Sequence, residues 1–266
     1  MAQVFRYNMK IIGHLPHAVT IGAVLLQLVT LGLSGCSGLP KNSAPVGREL
    51  PDRLPLVFHA SDKARWEPMP IPGKPRTQFR QASIDGRKST EAEARSSASM
   101  LLQRVRVDAQ QLGRLSFQWR VDQLVEGADM QQREREDSPA RVVLAFDGDR
   151  SQFSARNTML NELTRALTGE EMPYATLMYV WSNDLPVESV IVNPRSDRIR
   201  KIVVESGPVR LKQWLHYTRD VQADFQKAFG EAPQTLQGVA IMTDSDNTQG
   251  FARAWYGEMR LDAKLP

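Results

Sequence analysis

Residues 115–121 read Leu-Ser-Phe-Gln-Trp-Arg-Val, a strict alternation of apolar and polar side chains. Because successive side chains of a β-strand point to opposite faces of a sheet, this pattern predicts a strand with one face in a core. Other segments show similar short runs between Gly, Pro, Asp and Asn residues. The clear strand candidates are 141–146, 177–182, 199–205, 213–221, 237–243 and 254–261, and the weaker ones are 54–59, 77–84 and 99–107.

The number of these segments predicts the fold class. About ten short strands are typical of two stacked antiparallel sheets, a sandwich or jelly roll, which also shields most strand edges. Two segments instead carry apolar residues at helical spacing, Thr158–Leu167 and Ala223–Phe229, and each is followed by a glycine that suits a helix end. We therefore expect an all-β domain over residues 54–266 with one or two short helices.

The amino terminus has the layout of a secretory signal. Arg6 and Lys10 precede an apolar run from Ala18 to Leu33. That run approaches the length of a membrane-spanning helix, but Leu33-Ser34-Gly35-Cys36 resembles the bacterial lipobox, in which the cysteine receives a diacylglyceryl group before cleavage. The sequence therefore predicts a signal peptide over residues 1–35 and lipidation at Cys36, the only cysteine of the chain.

Lipidation at Cys36 implies a location in the bacterial cell envelope. Acyl chains on that residue would anchor the mature protein to a membrane. Ser37 follows the cysteine where inner-membrane lipoproteins usually carry Asp, so the lipoprotein resemblance implies export to the outer membrane. Residues 36–53, rich in Gly, Pro, Ser and Asn, predict a flexible tether. We expect a periplasmic protein, lipid-anchored in the outer membrane.

Charge and motifs exclude several classes of function. The 34 basic and 30 acidic residues give a net charge of +4, and it falls to +2 without Arg6 and Lys10. So slight an excess does not favour nucleic acid as a partner. A glycine-rich phosphate loop and a G-x-S-x-G nucleophile elbow are both missing from the sequence. His216 lacks a second nearby histidine and is interpreted as a structural residue.

The carboxyl-terminal half carries the motifs of a known family. They are YVWSN at 179–183, IVVESG at 202–207, W-x4-RDV-x2-DF-x3-FG at 214–230, GVAIMTDSDNT at 238–248 and AWYGEMRL at 254–261. From about Phe58 to Leu261 the chain resembles a bacterial envelope family known as domain of unknown function 3047, apart from the helical segment Ser154–Met172, which looks like an insertion. The resemblance implies an exported β-sandwich with no established activity.

A polar segment that follows a predicted strand is the first candidate site. Asp244 and Asp246 are two residues apart, so they project to the same side of a strand end, with Asn247 beside them. These oxygens could begin a Ca²⁺ shell, although such a shell needs about six to eight ligands. The alternatives are a tight turn stabilised by these side chains and a catalytic role. No other cofactor is expected.

A carboxylate pair is the second candidate. Glu205, Asp220, Asp244 and Asp246 are the acidic residues from which one could be drawn for glycoside cleavage, a reaction that needs two carboxylates at a set separation. Two sequence features favour structural roles instead. Arg219 beside Asp220 is typical of a structural ion pair across strands. Arg141 has the same strand parity as Val143 and Ala145, which is typical of a partly buried cation with an Asp or Glu partner. Both interpretations of the carboxylates remain open at this point.

Aromatic residues in the predicted strands form the third candidate. An exposed tryptophan stacks on a sugar ring, although strand aromatics usually fill a core. Trp181 with Asn183 is the preferred platform because polar residues follow it at a strand end. The other aromatics considered are Trp119, Trp214, Trp255, Tyr179, Tyr217 and Tyr256.

Together these features predict a non-catalytic, lipid-anchored module that binds a glycan or another envelope component. The expected site is the end of the sandwich that carries Asp244, Asp246 and Asn247, with Trp181, Asn183 and Glu205 as further ligand-binding candidates. The alternatives are a carbohydrate-active enzyme and an architectural lipoprotein that binds partner proteins.

Overall fold

The computed structural model describes residues 52–59, 62 and 64–264. Within them the chain forms thirteen strands and two α-helices. Cys36, the predicted signal peptide and all but two residues of the predicted tether lie outside the described residues. The strands are β1 (Leu56–Phe58), β2 (Glu67–Pro70), β3 (Gln78–Ile84), β4 (Arg87–Arg95), β5 (Ala98–Val107), β6 (Leu112–Val121), β7 (Ser138–Phe146), β8 (Ala175–Ser182), β9 (Val190–Asn193), β10 (Ser196–Ser206), β11 (Leu215–Asp220), β12 (Leu236–Asp244) and β13 (Phe251–Ala263), and the helices are α1 (Ala155–Thr168) and α2 (Val221–Phe229).

The described strands form two sheets, which confirms the predicted all-β, two-sheet fold. The first sheet has the order β11-β6-β13-β4-β3, with β1 paired to β13, and the second has the order β2-β5-β12-β7-β8-β10-β9. Pairing is antiparallel except between β8 and β10, which run parallel. The connection between these two strands passes through β9, which pairs antiparallel with β10 at the edge of the second sheet.

Aromatic side chains from the inner faces of both sheets meet in the core. Phe117 and Trp119 on β6 are fully buried, as are Tyr179 and Trp181 on β8. The ring centroids of Phe117 and Tyr179 are 5.6 Å apart, and those of Trp119 and Trp181 are 6.4 Å apart. Because large apolar side chains dominate the energetics of a core, these contacts hold the two sheets together.

Both helices end at the glycines that their sequences predict, but they begin earlier than predicted, at Ala155 rather than Thr158 and at Val221 rather than Ala223. α1 begins after Ser154, whose hydroxyl accepts a hydrogen bond from the backbone of Asn157, and ends at Gly169 in the left-handed conformation. α2 ends at Gly230 in the same way and buries Phe225 in the core. Since glycine adopts positive φ without strain, it is the residue favoured at these ends.

Three strands do not follow the alternation that identifies the others. β4 reads RKSTEAEAR and β2 reads EPMP, so neither offers an apolar face long enough to be recognised in the sequence. β9 is only four residues long. β4 is a strand because Ala92 and Ala94 are enough to fill its inner face, where they are completely buried.

Within the described part of the chain, no helix is both long and apolar enough to cross a membrane.

Candidate functional site

The predicted site at Asp244 contains a buried ion pair. Asp244 ends β12 and accepts two hydrogen bonds from the guanidinium of Arg141, at 2.8 Å from Nε and 2.7 Å from Nη2. The backbone N–H of Ser138 donates a third, at 3.1 Å. Both charged side chains are almost wholly buried on the outer face of the second sheet. The sequence-based interpretation of Arg141 as a buried cation that needs an acidic partner is therefore confirmed.

A second ion pair adjoins the first. Lys201 on β10 is completely buried, and its Nζ lies 2.5 Å from Oε1 of Glu136. The other carboxylate oxygen of Glu136 accepts a hydrogen bond from Arg195 at 2.7 Å, and Asn193 donates to Oε1 at 2.6 Å. Arg141 links the two pairs, because its Nη2 also donates to the backbone carbonyl of Glu136 at 2.9 Å.

The remaining polar residues of this end are bound in the same way. Asp137 accepts hydrogen bonds from Asn247 and from both the backbone and the hydroxyl of Thr248, at 2.7 to 3.2 Å. Asp246 forms an ion pair with Lys74. Asp246 and Asn247 thus take part in a turn that is stabilised from within the chain, which favours the structural interpretation of this segment over an open ligand site.

Carboxylate oxygens of Asp137, Asp244 and Asp246 lie within 4.8 Å of one another. Such a trio offers hard oxygen donors to a cation, but Arg141 and Lys74 already neutralise two of the three carboxylates. Burial raises the pKa of Asp244 to about 7, against the opposing effect of Arg141 and with a further contribution from Asp137. This donor set fits an internal ion-pair network better than a Ca²⁺ site.

The predicted aromatic platform is not present at Trp181. Its ring is completely buried, and its Nε1 donates to the backbone carbonyl of Gly207 at 3.1 Å. Asn183 donates to the carbonyls of Val125 and Ala128, at 2.7 and 3.3 Å. Both residues fix the loops at this end of the sandwich, so neither offers a free surface to a sugar.

The four carboxylates proposed for catalysis are not assembled in one cleft. Glu205 is buried and accepts hydrogen bonds from Tyr217 at 2.6 Å and Arg210 at 3.0 Å. Asp220 caps α2 by accepting from the backbone of Ala223 at 3.0 Å. Asp220 is not paired with Arg219, whose structural ion pairs are with residues of other elements.

Arg219 turns to the opposite side of its strand from Asp220. There it forms ion pairs with Asp224 at 2.7 Å and Glu188 at 2.5 Å. These contacts join α2 to the loop before β9. Asp244 and Asp246 do lie together, but only inside the ion-pair network described above.

A ladder of arginine and aromatic side chains covers part of the outer face of the first sheet. Three guanidiniums alternate with two rings, at distances of 4.6 to 6.0 Å from guanidinium carbon to ring centroid. Cation–π attraction of this kind stabilises side chains on a sheet surface. Trp255 is only 6% exposed within it. The ladder runs in the order Arg95, Phe251, Arg253, Trp255 and Arg120.

An open, polar area lies beside this ladder, along β11 and β6. All five tryptophans are in the described part of the chain, and Trp214 is the one that is not buried. It precedes β11 and has the same strand parity as His216 and Thr218, which are exposed. Their neighbours on β6 are Gln118 and Ser116. We call these five residues the Trp214 track.

Contacts within the track engage several of its polar atoms, and the hydroxyl of Thr218 lies 3.4 Å from Nε2 of His216. The hydroxyls of Ser116 and Thr218 lie 2.9 Å apart, and Arg87 donates to Gln118 at 3.0 Å. The guanidinium of Arg87 also lies over the Trp214 ring, 5.6 Å from its centroid. The indole N–H of Trp214 has no acceptor among the described residues. That N–H is itself buried, so the part of Trp214 that a movement of Arg87 would uncover is its ring face.

The track leads into a groove of about 830 Å³. The groove is lined by the first residues of β6, the last residues of β13 and the start of α2, with Arg114, Asp220, Arg260 and Asp262 among its polar side chains. Arg114 on β6 lies opposite Asp220 on β11 in the register of the same two strands that carry the track. From Trp214 to Asp220 the surface extends for about 20 Å at the rise of a β-strand.

Trp214, rather than the preferred Trp181, is the tryptophan with an accessible ring. The signal that distinguishes it was present, since Trp214 alternates with the apolar residues Leu215 and Tyr217 and shares its side with His216 and Thr218. Trp181 is buried instead, because both faces of its strand, β8, are covered. Trp181 was preferred because polar residues follow it in the sequence. The alternation of Trp214 with apolar residues is the signal that identifies the exposed ring.

The fold and its surfaces define a β-sandwich with a closed ionic end and an open polar face. Residues 64–260 match the family model described as "Protein of unknown function (DUF3047)", and the chain belongs to this family. Among curated proteins no match to the chain was found.

Two solved structures are similar to the chain over most of its length. One is the low-affinity xylan-binding module CBM86 of Roseburia intestinalis, with 10% identity and a TM-score of 0.29, covering 80% of this chain and 97% of that module. The other is the xyloglucanase domain of NopAA from Sinorhizobium fredii, solved with cellobiose, with 8% identity and a TM-score of 0.35, covering 79% of this chain and 99% of that domain. At these values neither structure is evidence for what this chain binds.

Breaking the buried Arg141–Asp244 pair should destabilise the fold strongly. We expect Arg141→Met to lower the free energy of unfolding by about 3–5 kcal/mol, because it leaves a buried carboxylate without its cation. The double variant Arg141→Met/Asp244→Leu should recover most of that loss. Urea unfolding measures both, with Arg104→Met as the control, since Arg104 forms exposed pairs worth about 1 kcal/mol or less. Equal losses in Arg141→Met and Arg104→Met would contradict the network.

Lys201 should make stability depend on pH in the alkaline range. Burial, assisted by Arg141, lowers the pKa of Lys201 from 10.5 to about 8. Between these values the unfolded chain binds more protons, so the free energy of unfolding should rise with pH, by up to about 1.4 kcal/mol per pH unit from this group. Lys201→Met should remove that rise in urea titrations across the range. An identical pH dependence in both proteins would show that Lys201 does not titrate in this way.

Proposed function

We propose that this protein is a non-catalytic, lipid-anchored module of the bacterial cell envelope that binds a glycan on the Trp214 track. The observation that carries the proposal is the position of Trp214. It is the partly exposed tryptophan of the chain, and on one sheet face it lies beside the exposed His216 and Thr218 and the half-buried Gln118 and Ser116.

The chemistry of the track suits a carbohydrate. A tryptophan ring packs against the apolar face of a sugar, while amide and hydroxyl side chains exchange hydrogen bonds with its hydroxyl groups. Gln118, His216, Ser116 and Thr218 offer such groups within two strands. The groove at the other end of the surface gives an extended chain a second place to bind.

The state of the carboxylates supports a binding role rather than catalysis. Glycoside cleavage needs two carboxyl groups that face the same bond. Glu205, Asp244 and Asp246 are buried and paired within the chain. Asp220 lines the groove but caps α2.

The anchor is proposed from the sequence around Cys36. A leader with two cations and an apolar run ends in Leu33-Ser34-Gly35-Cys36, and Ser37 favours transfer to the outer membrane. Lipidation at Cys36 would hold the sandwich in the periplasm without a membrane-spanning helix.

Removing the exposed ring should weaken glycan binding. The probe is a glycan array of bacterial and plant polysaccharide fragments, followed by titration of the best ligand. We expect Trp214→Ala to weaken binding by about 30-fold, since truncating a central tryptophan costs about 2 kcal/mol, and Gln118→Ala to weaken it less. The melting temperatures should stay close to that of the unmodified chain.

The control for this experiment is Gln152→Ala, an exposed polar residue outside the track. Equal affinities for Trp214→Ala and Gln152→Ala would rule out the track. Absence of any bound glycan on the array would overturn the proposal itself. Release of shorter fragments from a bound polysaccharide would favour the carbohydrate-active enzyme instead.

Cys36→Ser should abolish lipid attachment. In cells fed a labelled fatty acid, the unmodified chain should incorporate the label and partition into detergent, and Cys36→Ser should do neither. Ser37→Ala is the matched control and should retain the label, because it leaves the modified residue in place. A purified chain with an intact, unmodified amino terminus by mass spectrometry would refute the anchor.

A further inference from the structure

Helix α1 has three large apolar side chains on its solvent side. Met159, Leu163 and Leu167 are 64%, 53% and 62% exposed. They are four residues apart, so they form one stripe along the helix. In an ordinary surface helix such a stripe faces the core.

Polar residues attach the opposite side of α1 to the sandwich. Asn157 is buried and forms hydrogen bonds with the side chains of Asp197 and Ser196, at 2.5 and 2.9 Å. Asn161 accepts from the backbone of Met172 at 2.8 Å. Because these amides must face the protein to be satisfied, the apolar stripe is held outward and remains without a partner among the described residues.

The helix lies where the predicted tether joins the fold. Just after the end of α1, Glu170 accepts a hydrogen bond from Arg104 on β5 at 2.7 Å. Two residues further along β5, the backbone carbonyl of Arg106 accepts a hydrogen bond from the Asp52 N–H at 2.7 Å, and the Arg106 N–H donates to the Asp52 carboxylate at 2.8 Å. Asp52 and Glu170 thus contact β5 at residues that are about 7 Å apart along the strand.

The position of α1 close to the predicted tether bears on which surface the apolar stripe faces. A tether of sixteen residues from Cys36 to Asp52 spans about 20–25 Å on average if it behaves as a flexible coil. The sandwich itself is longer, since β10 alone extends about 33 Å from Ser196, beside α1, to Ser206. A lipid anchor on Cys36 would therefore keep the α1 end, rather than the opposite end, close to the bilayer.

We propose that α1 is an interfacial helix whose Met159–Leu163–Leu167 stripe inserts into the surface of the lipid bilayer that carries the Cys36 anchor. The inference rests on the anchored state in the proposed function and goes beyond it, because it gives the sandwich an orientation. Amphipathic helices bind bilayers by burying such a stripe at the boundary of headgroups and acyl chains. The anchor supplies the high local concentration that a stripe of three side chains needs.

The test places a fluorophore on the stripe. Cys36 is the only cysteine and its sulfur is occupied in the lipidated protein, so Leu163→Cys gives a single labelling site for a polarity-sensitive dye. The full lipidated chain is reconstituted into vesicles of phosphatidylethanolamine and phosphatidylglycerol with nitroxide-labelled lipid. Val209→Cys is the matched control, because Val209 is 84% exposed and follows the far end of β10.

We expect the dye at position 163 to shift its emission to the blue and to lose at least half of its intensity to the nitroxide, and the dye at position 209 to do neither. A lipidated protein whose two dyes behave alike and stay in water would overturn the inference and leave the anchor intact. An unmodified Cys36 would overturn both.

A second copy of the chain is the other occupant that this experiment can detect. In lipid-free buffer, the Cys36→Ser/Leu163→Cys protein should be monomeric by sedimentation with a water-exposed dye. A shielded dye in a dimer would overturn the membrane inference in favour of self-association. Glycan binding by Met159→Ser/Leu163→Ser/Leu167→Ser should equal that of the unmodified chain, which separates a failure of this inference from a failure of the Trp214 track.

Discussion

The packing of aromatic rings between β6 and β8 is the constraint on which the rest of the structure depends. Phe117 and Trp119 from one sheet meet Tyr179 and Trp181 from the other, and all four rings are completely buried. Side chains alternate between the two faces of a strand, so the residues adjacent to these four aromatics on β6 and β8 point to the outer faces of the sheets. The surfaces available for function are therefore set by the same residues that hold the sheets together.

Charged side chains are arranged differently on the outer faces of the two sheets. On the second sheet, Arg141 and Lys201 are buried with Asp244 and Glu136, and each of these four charged groups has a partner of opposite charge. On the first sheet, the arginine–aromatic ladder covers one part and leaves the Trp214 track open beside it. An ionic cluster with internal partners stabilises a single arrangement of the loops, whereas an open polar surface can exchange its water for a ligand.

Much of the architecture could be predicted from alternation, and the site could not. The strands around 115–121 and 141–146 and the glycine ends of both helices follow from local pattern. β4 escaped prediction because two alanines suffice to fill its inner face. The Asp244 segment was recognised as important, but its partners Glu136, Lys201 and Lys74 come from distant parts of the chain, and only the register of the strands brings them together. The exposure of Trp214 follows from its parity with His216 and Thr218, but the polar residues beside it depend on the pairing of β11 with β6.

The ion pair between Arg141 and Asp244 has a consequence for how the chain changes over generations. Either residue alone is a liability in a buried position, so a lineage that replaces one first passes through a poorly folding intermediate. The pair can be replaced by apolar residues only when both codons change nearly together, or when an earlier substitution has already raised the free energy of unfolding. The same two positions should therefore drift as a linked unit, while the exposed residues of β11 vary one at a time.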